Sequence, residues 1–349
     1  MTRILMFGST LSTRGGMVTV LKNYLGYSGW NNYTIKYIPT HFEGNKLLMI
    51  LHFMIRYVQI LFLAIFGNYK IAHLHTAEKG SFWRKAILIL TMRRLGIKTV
   101  MHHHGAEFEE FYVACSNKQK KWINNILEIV DVNIVLSQRL INMIRSKAPK
   151  AKVEVLYNAV DIHENYPYNE FAKNILFLGR LGKRKGTYDL LKSIKQLDPL
   201  IESDIKFYLC GDGAIEEIKR RVKEMNIEHR IAHIGWIDGI QKKDFMNNTM
   251  INVLPSYNEG LPMTILETMA YGIPNISTKI ASIPEVINDG NNGLLITPGD
   301  INALTNSILM LIKNKELRMK FSRESYELMT NNFSLSKSID SLKRIYNQL

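Results

Sequence analysis

The chain is predicted to fold as two doubly wound α/β domains, each a parallel sheet with helices on both faces. Three observations predict this. Its 349 residues exceed what one core usually organises and suit two domains of roughly 150 residues each. Short apolar segments alternate with longer stretches of helical period, the mark of strand–helix–strand units. The alternation breaks once, over Asp161–Lys173, a polar stretch with Pro167 and several Asn and Tyr residues, and then restarts.

Taken in order, the first half offers strands at Ile4–Phe7, Thr34–Ile38, Ile71–His75, Lys98–His102, Asn133–Leu136 and Lys152–Leu156. Between them lie helical stretches at Met17–Leu25, Trp83–Leu95, Gln119–Ile129 and Gln138–Lys147. The second half restarts with a strand at Ile175–Leu178, a helix at Thr187–Leu197, a strand at Lys206–Cys210 and a helix at Ile215–Met225. Strands at Ile231–Ile234, Ile251–Leu254, Asn275–Ser277 and Gly293–Ile296 follow, with helices at Met263–Tyr271 and Ile301–Ile312 and a basic helical tail. The domains are therefore placed at 1–162 and 163–330, with a C-terminal helix in 331–349 expected to pack back on the first. Ligands of such sheets bind at the carboxyl ends of the strands, so a cleft between two such ends is the expected site.

Composition narrows the function. Hydrophobic residues make up 46%, enough for a core in each half, and the formal net charge of +14 favours an anionic partner: nucleotide phosphates, an anionic lipid surface or nucleic acid. The two cysteines, Cys115 and Cys210, lie far apart and in no zinc-ligand spacing, so neither disulfide nor structural metal is expected and a reducing cytosol fits. Met1–Gly8 reads as a buried first strand, not a signal peptide. Lys46–Phe66 resembles a membrane span, but His52, Gln59 and a near-central Arg56 point to an interfacial or domain-packed helix.

Four runs carry candidate chemistry. The first, Pro255 to Gly272, follows a strand; Pro262 suits a first helical turn and Gly272 the position past its end. Glu259 then lies in the loop and Glu267 in the helix's second turn, beside the free amides of Met263 and Thr264, which form an anion site. Two carboxylates beside an anion site suit a ligand rich in hydroxyls; the plainer reading is a solvated loop acid and a surface helix residue. The second run, Phe177 to Gly186, sets Arg180 and Lys185 where a strand meets a helix, suited to phosphate oxygens, with Lys183 and Arg184 as solvated charges. The third, Ser9 to Met17, places Gly15 and Gly16 at a helix start, where backbone can approach a phosphate or simply turn. In the fourth, Met101 to Glu107, alternation puts His102 and His104 on one face and His103 on the other, which disfavours a three-histidine metal site. His104, at the strand's end, would point into the cleft.

Together these residues resemble glycosyltransferase family 4, whose members share the GT-B fold of two Rossmann-like domains facing a central cleft. Glu259 and Glu267 stand eight apart as in the family's E-x7-E motif, and Arg180 and Lys185 match its phosphate-binding pair. Gly15-Gly16 matches its N-terminal glycine loop and His104-Gly105 its active-site histidine. Asn158 to Asp161 is similar to its N-G-V-D run with Ala159 for Gly, and Ser282 to Val286 to its G-I-P-E-V run with Ser282 for Gly. The resemblance implies a retaining, metal-independent transferase with no cofactor beyond a nucleotide-diphosphate sugar, a UDP-sugar before GDP-mannose. Glu259, His104, Arg180 and Lys185 would be catalytic. Gly15, Gly16, Gly260, Leu261, Met263, Thr264 and Glu267 would bind the donor.

The transferred group is expected to be a hexose or N-acetylhexosamine, and the acceptor a glycan, lipid-linked, in bacterial surface polysaccharide synthesis. Competing readings are a GT-B nucleotide-sugar epimerase or an inverting transferase, which the E-x7-E spacing disfavours, a catalytically dead scaffold, and a basic nucleic-acid-binding protein. No recognition helix or stacked-aromatic motif supports the last, so no nucleic-acid partner is expected. The expected location is cytoplasmic, peripheral on the inner membrane face. Leu47, Leu48, Leu51, Met54, Ile55, Val58, Leu61, Phe62 and Ile65 recur near helical spacing, with Lys46, Arg56, Lys70, Arg84, Lys85, Arg93 and Arg94 in or near that segment. The same apolar residues could instead pack on the first sheet.

Overall fold

A computed structural model describes all residues, 1–349. They pack as two units: Met1–Ala159 together with Leu335–Leu349, and Val160–Ser334. Each unit holds a six-stranded sheet in which every strand pair is parallel.

The first unit runs β1 (Thr2–Ser9), α1 (Gly16–Gly26), β2 (Tyr33–His41), α2 (Lys46–Phe66), β3 (Ile71–Thr76), α3 (Gly80–Arg94), β4 (Lys98–His103), α4 (Phe108–Val113), α5 (Asn117–Ile129), β5 (Val132–Val135), α6 (Gln138–Arg145) and β6 (Val153–Val155). Its strand order is β2-β1-β3-β4-β5-β6. Ile4, Leu5, Met6 and Phe7 are all buried, as expected for a strand with helices on both faces rather than one half-exposed. Ser116 and Gln119 form a reciprocal capping box that starts α5. Helix α4 has six residues and shows no helical period in the sequence long enough to read.

The second unit runs β7 (Asn174–Leu178), α7 (Thr187–Leu197), β8 (Lys206–Cys210), α8 (Ile215–Glu224), β9 (Ile231–Gly235), α9 (Gly239–Asn247), β10 (Thr249–Leu254), α10 (Met263–Ala270), β11 (Asn275–Thr278), β12 (Gly293–Ile296), α11 (Ile301–Lys313) and α12 (Lys315–Asn332), in strand order β12-β11-β10-β7-β8-β9. Asp161–Lys173, read from sequence as a linker, belongs to this unit. The Tyr168 hydroxyl donates to the Met250 carbonyl at 2.9 Å, and Tyr166 bonds Ser322 and rings against Tyr326. Its polar composition hides three anchoring residues, Tyr166, Tyr168 and His163, the last set edge-on against Tyr271.

The last helix, α13 (Leu335–Asn347), returns to the first unit. Ile339, Leu342, Ile345 and Tyr346 are buried. Tyr346 stacks on Trp30, bonds His73 through its hydroxyl, and is joined by the Lys343 ammonium donating to the Gly29 carbonyl at 2.7 Å.

Two expectations about surface change here. Helix α2 is long and apolar enough to cross a membrane by length and composition, at a mean hydropathy of 2.0, yet it buries only the stripe Phe53, Ile60 and Ala64. Leu61 is half-buried, and the remaining apolar residues named above are exposed, from 52% at Ile65 to 76% at Leu47. The helix therefore does not spend most of its apolar residues on the sheet, because its apolar surface spans far more than the one face a sheet can cover. Conversely, Lys85 and Arg84 are not surface charges: Lys85 is 1% exposed and Arg84 half-buried, since α3 lies against the sheet on that side.

Candidate active site

In the second unit, the loops after β7 and β10 meet at the carboxyl ends of neighbouring strands. A single 3₁₀ turn, Lys183–Lys185, follows Arg180, and Gly186 closes it at φ 71°. A Cβ on Gly186 would lie 1.9 Å from the Pro255 carbonyl oxygen, so only glycine lets the two loops touch. The Tyr257 amide then donates to the Arg184 carbonyl at 2.8 Å. This contact sets the Lys185 ammonium against Glu259 Oε1, which also accepts the Ser256 hydroxyl at 2.7 Å. The pair is nearly closed to water, with side-chain exposures of 14% for Lys185 and 5% for Glu259. Burial pulls Lys185 below the ordinary ammonium range; Glu259 opposes this and Arg184 adds to it. Arg180 is exposed and makes no ion pair, so its guanidinium is open to an anion. Beneath it lies a glycine turn that sequence reasoning missed: a Cβ on Gly211 would sit 1.9 Å from the Gly179 carbonyl oxygen, and the Leu181 amide donates to the Asp212 carbonyl at 2.6 Å. The Gly-Asp-Gly run after β8 was the available signal.

Helix α10 begins at Met263, with Pro262 just before it rather than in its first turn, and no side chain caps its amino end. Gly260 and Thr264 are half-buried, while Leu261 and Met263 are buried on the approach. Gly272 follows the helix at φ 67°, as expected of a helix stop. Glu267, in the second turn, pairs with Lys242 of α9 at 2.6 Å. Lys242 was not anticipated, since it lies on a different helix with no motif around it. Each carboxylate of the motif is thus held by a lysine, which fixes its oxygens rather than leaving them to solvent.

In the first unit, β3 and β4 lie side by side with His75 opposite His102. His102 and His104 share a face, and His103 turns to the other, where it bonds Asn133 Oδ1 at 3.1 Å. His104 follows the end of β4 and bonds His75 Nδ1 through Nε2 at 2.8 Å. Burial, with His73 and His103 adding, holds His104 down to about 3, so near neutrality its imidazole is a hydrogen-bonding group and not a cation. Gly15 has open space where a Cβ would stand, and α1 begins at Gly16 with no side-chain cap.

Strand β3 contributes two histidines that sequence reasoning, considering β4 alone, left out. Ligand nitrogens of His73, His75 and His102 lie within 4.8 Å of one another, so a three-histidine grouping does exist across two strands. His73 Nε2 bonds His102 Nδ1 at 3.2 Å. The titratable groups acting on His75 are His73, His104 and Lys85, none of them acidic, so no carboxylate would offset the charge of a divalent cation there.

Two doubly wound units, an uncapped helix start beside a lysine-held carboxylate pair, and an open arginine on the neighbouring loop define a GT-B glycosyltransferase. The match of sequence models bears this out in both halves: residues 3–164 match the model described as Glycosyltransferase Family 4, and residues 159–328 the one described as Glycosyl transferases group 1. The chain belongs to glycosyltransferase family 4. Among its relatives is N-acetyl-alpha-D-glucosaminyl L-malate synthase of Bacillus anthracis, 27% identical over 296 residues, covering 80% of this chain and 74% of the relative. Another is the Escherichia coli UDP-Gal:alpha-D-GlcNAc-diphosphoundecaprenol alpha-1,3-galactosyltransferase, 24% identical over 299 residues, covering 80% and 75%. In fold, the chain is similar to sucrose-phosphate synthase from Thermosynechococcus elongatus, with a TM-score of 0.81 at 19% identity over 100% of this chain and 99% of the other. It is also similar to Anabaena HepE in complex with UDP and glucose, with a TM-score of 0.78 at 17% identity over the whole of both chains.

Proposed function

We propose that this glycosyltransferase moves a hexose or N-acetylhexosamine from a UDP-sugar to a glycan acceptor on a lipid carrier, with retention of anomeric configuration and without a metal ion. The observation that carries this reading is the buried Lys185–Glu259 pair beside the exposed Arg180. It sets two cations where a diphosphate can lie and a carboxylate where a sugar hydroxyl can donate. In the reaction, the bond from the anomeric carbon to the diphosphate oxygen breaks, and its electron pair leaves with the diphosphate. The acceptor oxygen attacks from the same face, and its proton passes to the departing phosphate oxygen. Arg180 and Lys185 stabilise the charge that develops there, Lys185 as a donor held by Glu259 and shielded from water, Arg180 as an exposed guanidinium free to turn onto the phosphate. Glu267, held by Lys242, accepts from the ribose hydroxyls, and the α10 amides of Met263 and Thr264 meet phosphate. Glu259 accepts from a hydroxyl of the sugar, and neutral His104 of the first unit offers an imidazole that can hydrogen-bond a substrate hydroxyl.

The names of the relatives support the substrate classes: one carries UDP-Gal and a diphosphoundecaprenol acceptor, another N-acetylglucosaminyl and malate. The exposed apolar surface of α2, with Lys46, Arg56 and Lys70 in and beside it, supports a cytoplasmic enzyme resting on an anionic membrane surface. The test is a donor panel read as nucleoside-diphosphate release with and without EDTA, and proton NMR of the linkage formed. Turnover with a UDP-sugar, undiminished by EDTA and giving a retained linkage, is expected. An inverted product, or activity that returns only with added Mg or Mn, refutes the mechanism.

A further inference from the structure

Lys85 and Arg84 take no part in the site described above, and nothing acidic pairs with either. Lys85 lies at the carboxyl ends of β1 and β2, where its ammonium has one hydrogen-bond partner, the Thr40 hydroxyl at 2.6 Å. That hydroxyl in turn donates to the Gly8 carbonyl at 3.0 Å, so no carboxylate stands behind it. Arg84 has a buried Nε with no partner, and its Nη1 lies beside Gly80 at the start of α3, a helix start no side chain caps. The groups facing this cluster from neighbouring elements are also basic: His41 on β2, His52 on α2 and His75 on β3. An unpaired buried ammonium next to an unsatisfied guanidinium is costly, and proteins rarely keep both without a use.

We propose that Thr40, His41, Arg84 and Lys85 form a subsite for a phosphoryl group of the acceptor, on the first unit and separate from the donor's diphosphate. This rests on the transferase reading and deepens it by giving the acceptor a charge. A phosphoryl dianion would supply what the cluster lacks: acceptor oxygens for the remaining ammonium and guanidinium N–H groups, and negative charge beside Arg84 and Lys85, which no carboxylate faces. It would also lie at the carboxyl end of the sheet, where ligands of this architecture bind. Burial, with Arg84 adding, brings Lys85 down to about 7, and burial, with Arg84, Lys85 and His52 adding, brings His41 to about 4. The lysine is thus half-charged near neutrality, and a bound dianion returns the proton.

The test uses the full chain with its donor site saturated by UDP and titrates inorganic phosphate calorimetrically at pH 6.5. One phosphate site is expected, at least tenfold weaker in Lys85→Met and in Arg84→Gln, with UDP affinity unchanged in both. Arg84 is half-buried, so its variant reports even where Lys85→Met perturbs folding. In carbon-13 NMR of ε-labelled lysine, the Lys85 signal titrates near neutrality and stays in its charged position when phosphate is bound. Two arms separate the sources of the phosphoryl group: hexose 1-phosphate in solution, and a polyprenyl phosphate in phosphatidylcholine vesicles. Whichever binds more tightly, and loses that binding in Lys85→Met, identifies the source. Phosphate binding that survives both substitutions, vanishes when UDP is present, or is absent altogether overturns the subsite. Failure of UDP itself to bind overturns the transferase reading instead, and leaves the phosphate result to be judged alone.

Discussion

Replacing Glu259 by Gln keeps the shape of the side chain and removes its charge. Lys185 would then keep its 14% exposure but lose its counterion, while the Ser256 hydroxyl keeps an oxygen to donate to. Breaking a buried ion pair on one side costs about 3–5 kcal/mol where the survivor is fully enclosed; Lys185 reaches some water, so a loss of about 2 kcal/mol is expected. A fold of ordinary stability survives that. The electrostatic consequence is sharper. In the native enzyme burial lowers Lys185 and Glu259 partly offsets it; without Glu259 only the lowering causes remain, burial first and then Arg184. A lysine whose folded value is depressed is charged below that value and neutral above it. The alkaline limb of UDP binding should therefore move toward lower pH in Glu259→Gln, while turnover near neutrality falls about a hundredfold, the scale of losing one fixed site charge. Calorimetric UDP affinity from pH 6 to 10, with turnover on the best donor, measures both. An unchanged alkaline limb, or near-native turnover in a folded variant, would show that the pair is structural and that the diphosphate lies elsewhere.

Other outcomes follow from the geometry. Gly186→Ala places a methyl against the Pro255 carbonyl at a positive φ, so it should lower stability by at least about 2 kcal/mol and reduce turnover with it; urea denaturation and a turnover assay check this, and a silent substitution would refute the loop contact. His73, His103 and His104 are held near 3, 4 and 3 by burial, so each is neutral in the folded chain and protonates more readily when unfolded. Their contribution is complete above about pH 6.5 and is lost as pH falls toward 4, by up to about 1.4 kcal/mol per pH unit for each histidine. Urea midpoints should drop over that window, and His103→Asn should remove close to one proton from the slope. Flotation with liposomes should rise with anionic lipid, fall with salt, and weaken in Leu51→Glu and Phe62→Glu; indifference to anionic vesicles at low salt favours a soluble acceptor.

Much of the second unit was legible because its chemistry is local. Pro255 to Gly272 is one strand end, one loop and one helix, so Glu259 falls in the loop and Gly272 past the helix end as turn and cap preferences predict, with Pro262 one position short of the helical turn expected for it. What stayed hidden is contact between distant segments. Lys242 meets Glu267 only because α9 and α10 pack together, and Gly211 matters only because β8 lies beside β7. The histidines of β3 and β4 come together through a sheet register, not through a spacing. Helix α2 shows a further limit: periodicity found the helix, but a segment apolar around most of its circumference does not say which stripe is buried. Lys85 looked like surface charge for the same reason, since α3 is enclosed by neighbours that sequence does not name.

The return of α13 to the first unit has a consequence for synthesis. Residues 160–334 form one uninterrupted unit and can fold as soon as they leave the ribosome, whereas residues 1–159 wait for 335–349. At about 5–20 residues per second, the roughly 175 intervening residues take on the order of ten to thirty seconds to appear. During that interval Trp30 and His73 lack the cover that Tyr346 later provides. The first part made is the last part finished, and a nascent chain that stalls before Leu335 would present this aromatic face to chaperones and proteases while its second half already stands folded.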